Sequence, residues 1–595
     1  MSIIYQNSVS RSLTQWCARI EQEYKSTDRI SLWLFDDLDS LQIAQKNMQN
    51  KGYQLSFHCA LKPLVHFFMS LENTENLRQI KVTYPVSPDA KENRFRLEAY
   101  PLAGMFPHAD VAFEAGSDCD NYYVNLFFAD GTMRQEKVFA PNQLAKDCFG
   151  RDMLRPCGWL RVYRNGECIR NEQVVTDLDE VFDGVMQAIR TMPLPPTMPY
   201  FEELSIRVSL PQNEKPVGYG QEIISYQEIL HEELYFSTLE YYQSINGLPP
   251  EDRTVRPGQI APLITRSKDD NCHMAIELVP LSTKNTAFAA QEPELADRPM
   301  SHSAIAAALD NIGGALLQAK SRSGRGVCAR YNKGSDNAVM ISGCQHGNET
   351  TGTVGALRAA HMLSFRKNAH FVISPLENPD GNALFLRSIL ENPHHMHHAA
   401  RYTAFGNDLQ NTPDSAPMER GIRIEGRKCS GAKLHVNLHG YPSHEWIRPL
   451  SGYIPHNFAM WTLPKGFFLV FRYREGWEKT TRQLAEKVTA CLALNNAGLA
   501  MNDLQVKLYR QHAGEPGFET INGIPCSFAL YPNATFEVEL VTEYPDDTVY
   551  GGDFKLGYQM QMETGLGTYE AWQVLMQENS QKRDRFVDER TLSAY

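Results

Sequence analysis

The chain has 595 residues, of which 42% are hydrophobic and 22% are charged, and its net charge is −12. This length is too great for a single hydrophobic core and predicts several domains, while the composition is typical of a folded, water-soluble protein. The negative charge, together with the lack of any Lys/Arg-rich run, argues against nucleic acid as a partner.

The twelve cysteines stand singly, with no C-x-x-C motif, and this pattern predicts reduced thiols rather than a disulfide framework. Residues 1–7 show no basic flank before an apolar core, so no secretory signal is expected. No apolar run approaches the roughly 20 residues that a membrane span requires. We therefore expect a cytoplasmic protein that has no membrane partner.

Residues from about 10 to 50 show helical spacing of apolar side chains, and residues 79–175 show short alternating segments typical of antiparallel sheet. A proline-rich break at 193–196 predicts the end of a first domain, α+β and β-rich, over residues 1–195. A strand at 201–210, a helix at 224–245 and a strand at 274–281 follow, and a polar stretch at 283–301 reads as a linker. We assign residues 196–300 to a connecting subdomain.

Beyond residue 301, helical patterns alternate with fully apolar strand patterns. Helices are predicted over 304–320, 353–363 and 480–495, and strands over 338–342, 369–374, 433–438 and 534–540. Apolar strands between helices are typical of an α/β sheet that is covered on both faces. Residues 301–595 are therefore predicted to form a third, α/β domain.

The strand at 338–342 leads into a turn that carries His346 and Glu349, three residues apart. A neutral imidazole and a carboxylate this close can bind one divalent metal. A third candidate ligand, His439, directly follows the strand at 433–438. Two ligands from one turn and one from a distant strand leave the fourth position of a zinc ion open, which is typical of a catalytic site.

These motifs occur in an order that resembles the zinc metallocarboxypeptidases over about the last half of the chain. The set comprises His346-x-x-Glu349, N-P-D-G at 378–381, L-H-G-Y at 438–441 and T-F-E at 535–537. The resemblance implies a three-layer α/β/α domain with a mixed sheet, one Zn²⁺ per chain and hydrolysis of a peptide bond by metal-activated water. It also implies that His346, Glu349 and His439 are the zinc ligands.

On the same resemblance Glu537 is the general base that accepts a proton from the attacking water. Glu539 lies on the same face of the same predicted strand and also fits the motif, so the choice between the two stays open.

The segment 401–411 resembles another part of the family's site. Arg401 then polarises the scissile carbonyl and contacts the substrate, and Asp408 orients a ligand histidine through its second ring nitrogen. Where the family has an asparagine–arginine pair that binds a terminal carboxylate, this chain has Gln410 and Asn411. They are the candidate substrate-binding residues here, but they supply no bidentate cation.

The sequence thus predicts a zinc-dependent, carboxypeptidase-like metallopeptidase acting on a peptide. The missing arginine keeps open an amidohydrolase of the aspartoacylase or succinylglutamate desuccinylase type, whose substrate is an N-acyl amino acid. A third alternative is a peptidase-like binding protein without catalysis.

Overall fold

The computed structural model describes the backbone of residues 2–284 and 291–592, and side chains as far as residue 579. Part of the predicted linker, residues 285–290, therefore lies outside the described residues. The chain forms two compact units. The first comprises Met1–Pro280, His444–Pro464 and Lys507–Pro516, and the second comprises Leu281–Ser443, Lys465–Val506 and Gly517–Tyr595. In the part of the chain that is described, no helix is both long and apolar enough to cross a membrane.

The first unit contains sixteen strands and seven helices among its described residues. The strands are β1 (Ser2–Ser10), β2 (Arg29–Leu34), β3 (Gln54–Cys59), β4 (Leu77–Tyr84), β5 (Asp110–Ala115), β6 (Asn121–Phe128), β7 (Met133–Phe139), β8 (Asn142–Lys146), β9 (Asp152–Pro156), β10 (Gly158–Arg164), β11 (Glu167–Val174), β12 (Glu203–Leu210), β13 (Lys215–Pro216), β14 (Ile223–Ile224), β15 (Gln259–Arg266) and β16 (Asn271–Val279). The helices are α1 (Ser12–Glu23), α2 (Leu38–Asn50), α3 (Pro63–Met69), α4 (Arg94–Glu98), α5 (Leu102–Met105), α6 (Asp177–Thr191) and α7 (Tyr226–Ile245).

The N-terminal strand β1 corrects the predicted boundary at residue 195. It pairs antiparallel with β16, in a sheet of order β1-β16-β12-β15. Strands within residues 203–279 therefore share one sheet with residues 2–10, across the predicted boundary. The alternation of apolar and polar residues along β1 is too weak to predict this pairing. In the structure only Val9 of that strand is buried.

The predicted antiparallel texture of residues 79–175 corresponds to β4–β11, in which β4 and β5 are the parallel exception. The predicted helical region 10–50 contains a strand, β2, between its two helices. Helix α7 is buried almost all round, and its carboxylates bind the segment 444–464: Glu228 lies 2.9 Å from His444 Nε2, and Glu240 accepts a hydrogen bond of 2.9 Å from Arg448.

Where it is described, the second unit contains nine strands, and its helices include the very long C-terminal one. The strands are β17 (Ala315–Lys320), β18 (Gly326–Asn332), β19 (Val339–Gly343), β20 (Phe371–Ser374), β21 (Leu434–Pro442), β22 (Phe468–Tyr473), β23 (Glu519–Ile521), β24 (Ile524–Leu530) and β25 (Val538–Asp547). The helices are α8 (His302–Ile312), α9 (Thr351–Ser364), α10 (Pro379–Ser388), α11 (Gly421–Ser430), α12 (Glu478–Leu492), α13 (Asn496–Ala513), whose last turns are grouped with the first unit, and α14 (Gly551–Leu592).

The predicted helix over 304–320 is wrong in its second half. Helix α8 ends at Ile312, and Gly313 and Gly314 follow with φ of +75° and +87°. This left-handed backbone ends a helix. The chain then continues as strand β17, which pairs with β18.

The nine strands form one mixed sheet of order β17-β18-β20-β19-β21-β25-β22-β24-β23. One face of its centre is apolar, because Ile341, Val436 and Leu540 pack there against helices α9, α12 and α14. Successive strand residues point to opposite faces. His435, Asn437 and His439 of β21 therefore lie on the other face, and all three are buried. The mixed α/β fold predicted for this region is confirmed.

Helix α9 lies so close to β21 that Gly352 has no room for a side chain. A Cβ at this position would lie 2.5 Å from the carbonyl oxygen of Leu438, which belongs to the rigid sheet.

Gly352→Ala should therefore lower the free energy of unfolding by about 1–3 kcal/mol, since helix and strand must move apart. Denaturant unfolding measures this change. The matched control is Gly421→Ala, where the nearest atom to a new Cβ is 3.6 Å away and φ is −54°. Equal stability of the two variants would contradict the close approach.

Candidate metal centre and active site

The turn after β19 presents His346 and Glu349 because several contacts hold its backbone. Gly347 is packed against α10, where a Cβ would lie 2.2 Å from the carbonyl carbon of Gly381. Asn348 donates a hydrogen bond of 2.8 Å to Asp547. Gly347 therefore has no room for a side chain, and the side chain of Asn348 is held by Asp547.

The structure brings the three predicted ligands together. His346 Nδ1 lies 2.7 Å from Glu349 Oε1, and His439 Nδ1 lies 3.1 Å from Glu349 Oε2. One ligand atom from each residue lies within 4.8 Å of the others, and all three residues are buried. Among the described residues this is the one such group of metal-binding side chains.

The donor atoms of this group fit a zinc-type divalent ion. Glu349 Oε2 is buried and accepts no hydrogen bond from the described residues. Burial lowers the pKa of His439 to about 4, against the opposing effect of Glu349, so the imidazole is neutral at neutral pH. Burial opposes ionisation of Glu349, but His346 and His439 outweigh it and hold its pKa below the usual value. Two imidazoles and one carboxylate are a ligand set typical of catalytic zinc.

Arg401 and Asp408 also lie at this group. Arg401 Nη1 donates to Glu349 Oε1 at 3.3 Å, and Asp408 Oδ2 lies 3.6 Å from His346 Nε2. The Asp408 carboxylate thus faces the ring nitrogen that points away from Glu349, as an orienting carboxylate must.

Gln410 and Asn411 do not offer a cationic clamp. The side chain of Asn411 is exposed, and Gln410 Oε1 accepts a hydrogen bond of 2.7 Å from Arg423 Nη1. Arg423 is buried, and its Nε donates to both oxygens of Glu377 at 3.0 Å. Since its Nη2 also binds Glu377, this arginine is committed to the protein interior.

Neither predicted base lies beside the three ligands. In the parallel pairing of β21 and β25, His439 is opposite Glu543, and His435 is opposite Glu539. Glu539 and Glu537 precede Glu543 by four and six residues, which is about 13 and 20 Å along an extended strand. Glu539 instead binds His435 Nδ1 at 3.1 Å and Arg472 at 3.1 Å. Glu537 accepts a hydrogen bond of 2.8 Å from Arg427.

Glu543 is the carboxylate that the sequence analysis missed. It is partly buried and lies on the same face of the sheet as His439, one strand away. Burial and the nearby Glu349 carboxylate raise the pKa of Glu543 well above its usual value, while Arg401, Lys465 and Arg472 oppose the rise. A carboxyl group with a raised pKa beside a metal-binding group is typical of an acid–base catalyst.

A wrong strand end explains the omission. The strand was predicted over 534–540, but β25 runs from Val538 to Asp547. The β-branched and aromatic residues Val541, Thr542 and Tyr544 carried the signal that the strand continues. Parallel neighbours end at the same edge of a sheet, so the partner of His439 had to come from the end of β25.

The ion pair of Arg423 and Glu377 is buried, and substitution of either residue should change the free energy of unfolding. Arg423→Met leaves the Glu377 carboxylate buried without its cation, and we expect the free energy of unfolding to fall by about 3–5 kcal/mol. Adding Glu377→Gln should restore part of this loss. The control is Arg420→Met, whose partner Asp414 is 80% exposed and whose loss should cost less than about 1 kcal/mol. Similar losses in the two single variants, measured by denaturant unfolding, would refute the role of the buried pair.

Comparison with known proteins gives matches among solved structures alone. No protein-family model matches this sequence, and no curated protein matches it significantly. The chain is similar to a metallo-carboxypeptidase from Burkholderia cenocepacia, with 14% identity, 52% of this chain and 73% of that chain covered, and a TM-score of 0.29. A metallo-carboxypeptidase from Pseudomonas aeruginosa shares 14% identity over 52% of this chain and 74% of that chain, with a TM-score of 0.29.

The succinylglutamate desuccinylase from Chromobacterium violaceum shares 13% identity over 46% of this chain and 75% of that chain, with a TM-score of 0.24. These TM-scores are low, and the likeness by itself assigns no function to this chain. Solved structures similar to this chain also include an aspartoacylase family protein from Mesorhizobium loti, with 13% identity over 42% of this chain and 67% of that chain and a TM-score of 0.22.

Proposed function

We propose that the protein is a zinc-dependent, carboxypeptidase-like hydrolase of a peptide or amide bond. The observation that carries the proposal is the convergence of His346, Glu349 and His439 within 4.8 Å, with Glu543 opposite His439 on the neighbouring strand. The catalytic domain is the α/β region within residues 301–595, arranged as a three-layer α/β/α sandwich around the mixed sheet.

His346 Nδ1, one oxygen of Glu349 and His439 Nδ1 would hold one zinc ion per chain. When bound, zinc supplies Lewis acidity that activates water and polarises the scissile carbonyl. Three protein ligands leave a coordination position for substrate or water, which distinguishes this group from a closed structural site.

Glu543 is the general base, in place of Glu537 or Glu539. Its carboxylate accepts the proton of the attacking water and then passes it to the leaving amine. Arg401, whose guanidinium already reaches Glu349, donates to the carbonyl oxygen as negative charge develops there. Asp408 keeps the His346 ring turned toward the metal position.

The substrate side of the proposal follows from Arg423. Its N–H groups bind Glu377, Gln345 and Gln410, so it cannot clamp a terminal carboxylate with two parallel hydrogen bonds. An N-acyl amino acid stays the alternative substrate class, since its scissile amide bond is open to attack by the same metal-activated water.

Hydrolysis of a substrate panel tests the function. We expect the zinc-loaded protein to cut peptides faster than N-acyl amino acids, and to cut free and amidated C-termini at similar rates because Arg423 is held by Glu377, Gln345 and Gln410. Removing zinc with a chelator should lower the rate at least about a hundredfold, and added zinc should restore it, because a Lewis acid contributes several kcal/mol.

Faster cleavage of N-acyl amino acids would support the amidohydrolase instead. Absence of any hydrolysis by protein with stoichiometric zinc would refute the enzyme and leave a peptidase-like binding protein.

The base is tested by Glu543→Gln, with Glu537→Gln as the matched control on the same segment. The first variant removes the proton acceptor, so kcat should fall by about 10²–10⁴-fold while zinc content stays near one per chain. The control should stay within a few-fold of the unsubstituted protein, since Glu537 binds Arg427 instead. A larger loss in Glu537→Gln than in Glu543→Gln would overturn the assignment.

A further inference from the structure

The residue before the first ligand, Gln345, is buried and has its side-chain oxygen at the centre of a group of donors. Gln345 Oε1 accepts hydrogen bonds of 2.7 Å from Arg423 Nη2 and 3.0 Å from Asn437 Nδ2. The same oxygen lies 3.3 Å from His439 Nε2. This end of the amide therefore faces one metal-binding histidine from behind.

The nitrogen end of the same amide faces the other histidine. Gln345 Nε2 donates a hydrogen bond of 3.1 Å to Asp408 Oδ1 and lies 3.3 Å from His346 Nε2. The second oxygen of Asp408 is the one that faces His346. A single side chain thus reaches both imidazoles, on the ring edges that point away from Glu349.

The orientation of this amide is determined by chemistry at both ends. An arginine can only donate, so the atom that faces Arg423 must be the carbonyl oxygen. An ionised carboxylate can only accept, so the atom that faces Asp408 must be the amide nitrogen. The oxygen beside His439 then requires Nε2 to carry the ring proton, which leaves the Nδ1 lone pair directed toward Glu349.

We propose that Gln345 is a positioning residue that holds both histidines in the orientation and tautomer that a metal requires. It acts on His439 directly, through its oxygen, and on His346 through Asp408, whose carboxylate it fixes by hydrogen bonding. The inference rests on the proposed metal site but not on catalysis. Partners of this kind typically contribute 10–100-fold to metal affinity.

The test compares zinc dissociation constants, measured by competition with a chelator. Gln345→Leu is of similar volume and removes both polar ends, so we expect the zinc dissociation constant to rise by about 10–100-fold. We also expect the visible absorption bands of the cobalt-loaded protein to shift, because the two imidazoles are no longer held at their present angle. Gln345→Glu keeps an acceptor for His439 but turns a second carboxylate toward Asp408. Its zinc affinity should lie between those of Gln345→Leu and the unsubstituted protein.

The matched control is Asn502→Leu. Asn502 is a buried amide of the same unit whose Oδ1 accepts a hydrogen bond of 2.6 Å from Phe467 N and whose Nδ2 donates one of 3.1 Å to Phe467 O. It should lose stability but bind zinc within about twofold of the unsubstituted protein.

Circular dichroism of the metal-free variants shows whether each one folds, and Gln345→Glu replaces Gln345→Leu if the latter does not. A folded Gln345 variant with an unchanged dissociation constant and unchanged cobalt bands would overturn the inference. Failure of the proposed function would show differently, as zinc-loaded protein without hydrolysis.

Discussion

The parallel pairing of β21 with β25 is the constraint on which the site depends. Each strand has one apolar face, which Val436 and Leu540 bury against the helices, and a shift of one residue would turn those side chains to the other face. The hydrophobic core therefore fixes the register of the two strands. The same register places His439 opposite Glu543, so the position of this carboxylate relative to the histidine is a consequence of packing on the far side of the sheet.

The face of this sheet that carries His435 and His439 also buries charged side chains on the neighbouring strands. His435, Glu539 and Arg472 form one hydrogen-bonded row, in which His435 Nε2 also lies 2.7 Å from the hydroxyl of Ser342. Buried charged groups destabilise a fold unless each has a partner. Here the Glu539 carboxylate is matched by the His435 imidazole and the Arg472 guanidinium. Such a network holds its members in defined positions, which is the property that a catalytic site requires.

Much of this arrangement could be predicted from the sequence. The apolar strands and the ligand turn are local patterns. His346 and Glu349 are three residues apart in one turn, so the local backbone alone brings them close. His439 was predicted because it follows an apolar strand pattern and stands directly before a glycine, Gly440. Glu543 was not predicted to face His439. Choosing it over Glu537 and Glu539 requires knowing where β25 ends, and the end of a strand is determined by the neighbouring strand. The role of Arg423 was equally hidden, since its partners Glu377 and Gln345 lie 46 and 78 residues away.

The sequence by itself determined the chemistry of the site: two imidazoles and a carboxylate at strand ends of an α/β region, with Arg401 and Asp408 nearby. Residue types and short-range spacing carry that information, because the coordinating atoms are properties of single side chains. Only the tertiary structure decided which glutamate faces the ligands, that Gln345 touches both histidines, and that β1 joins the sheet of residues 203–279. Each of these depends on pairing between segments far apart in the chain, where register is set by burial and hydrogen bonding across the whole sheet.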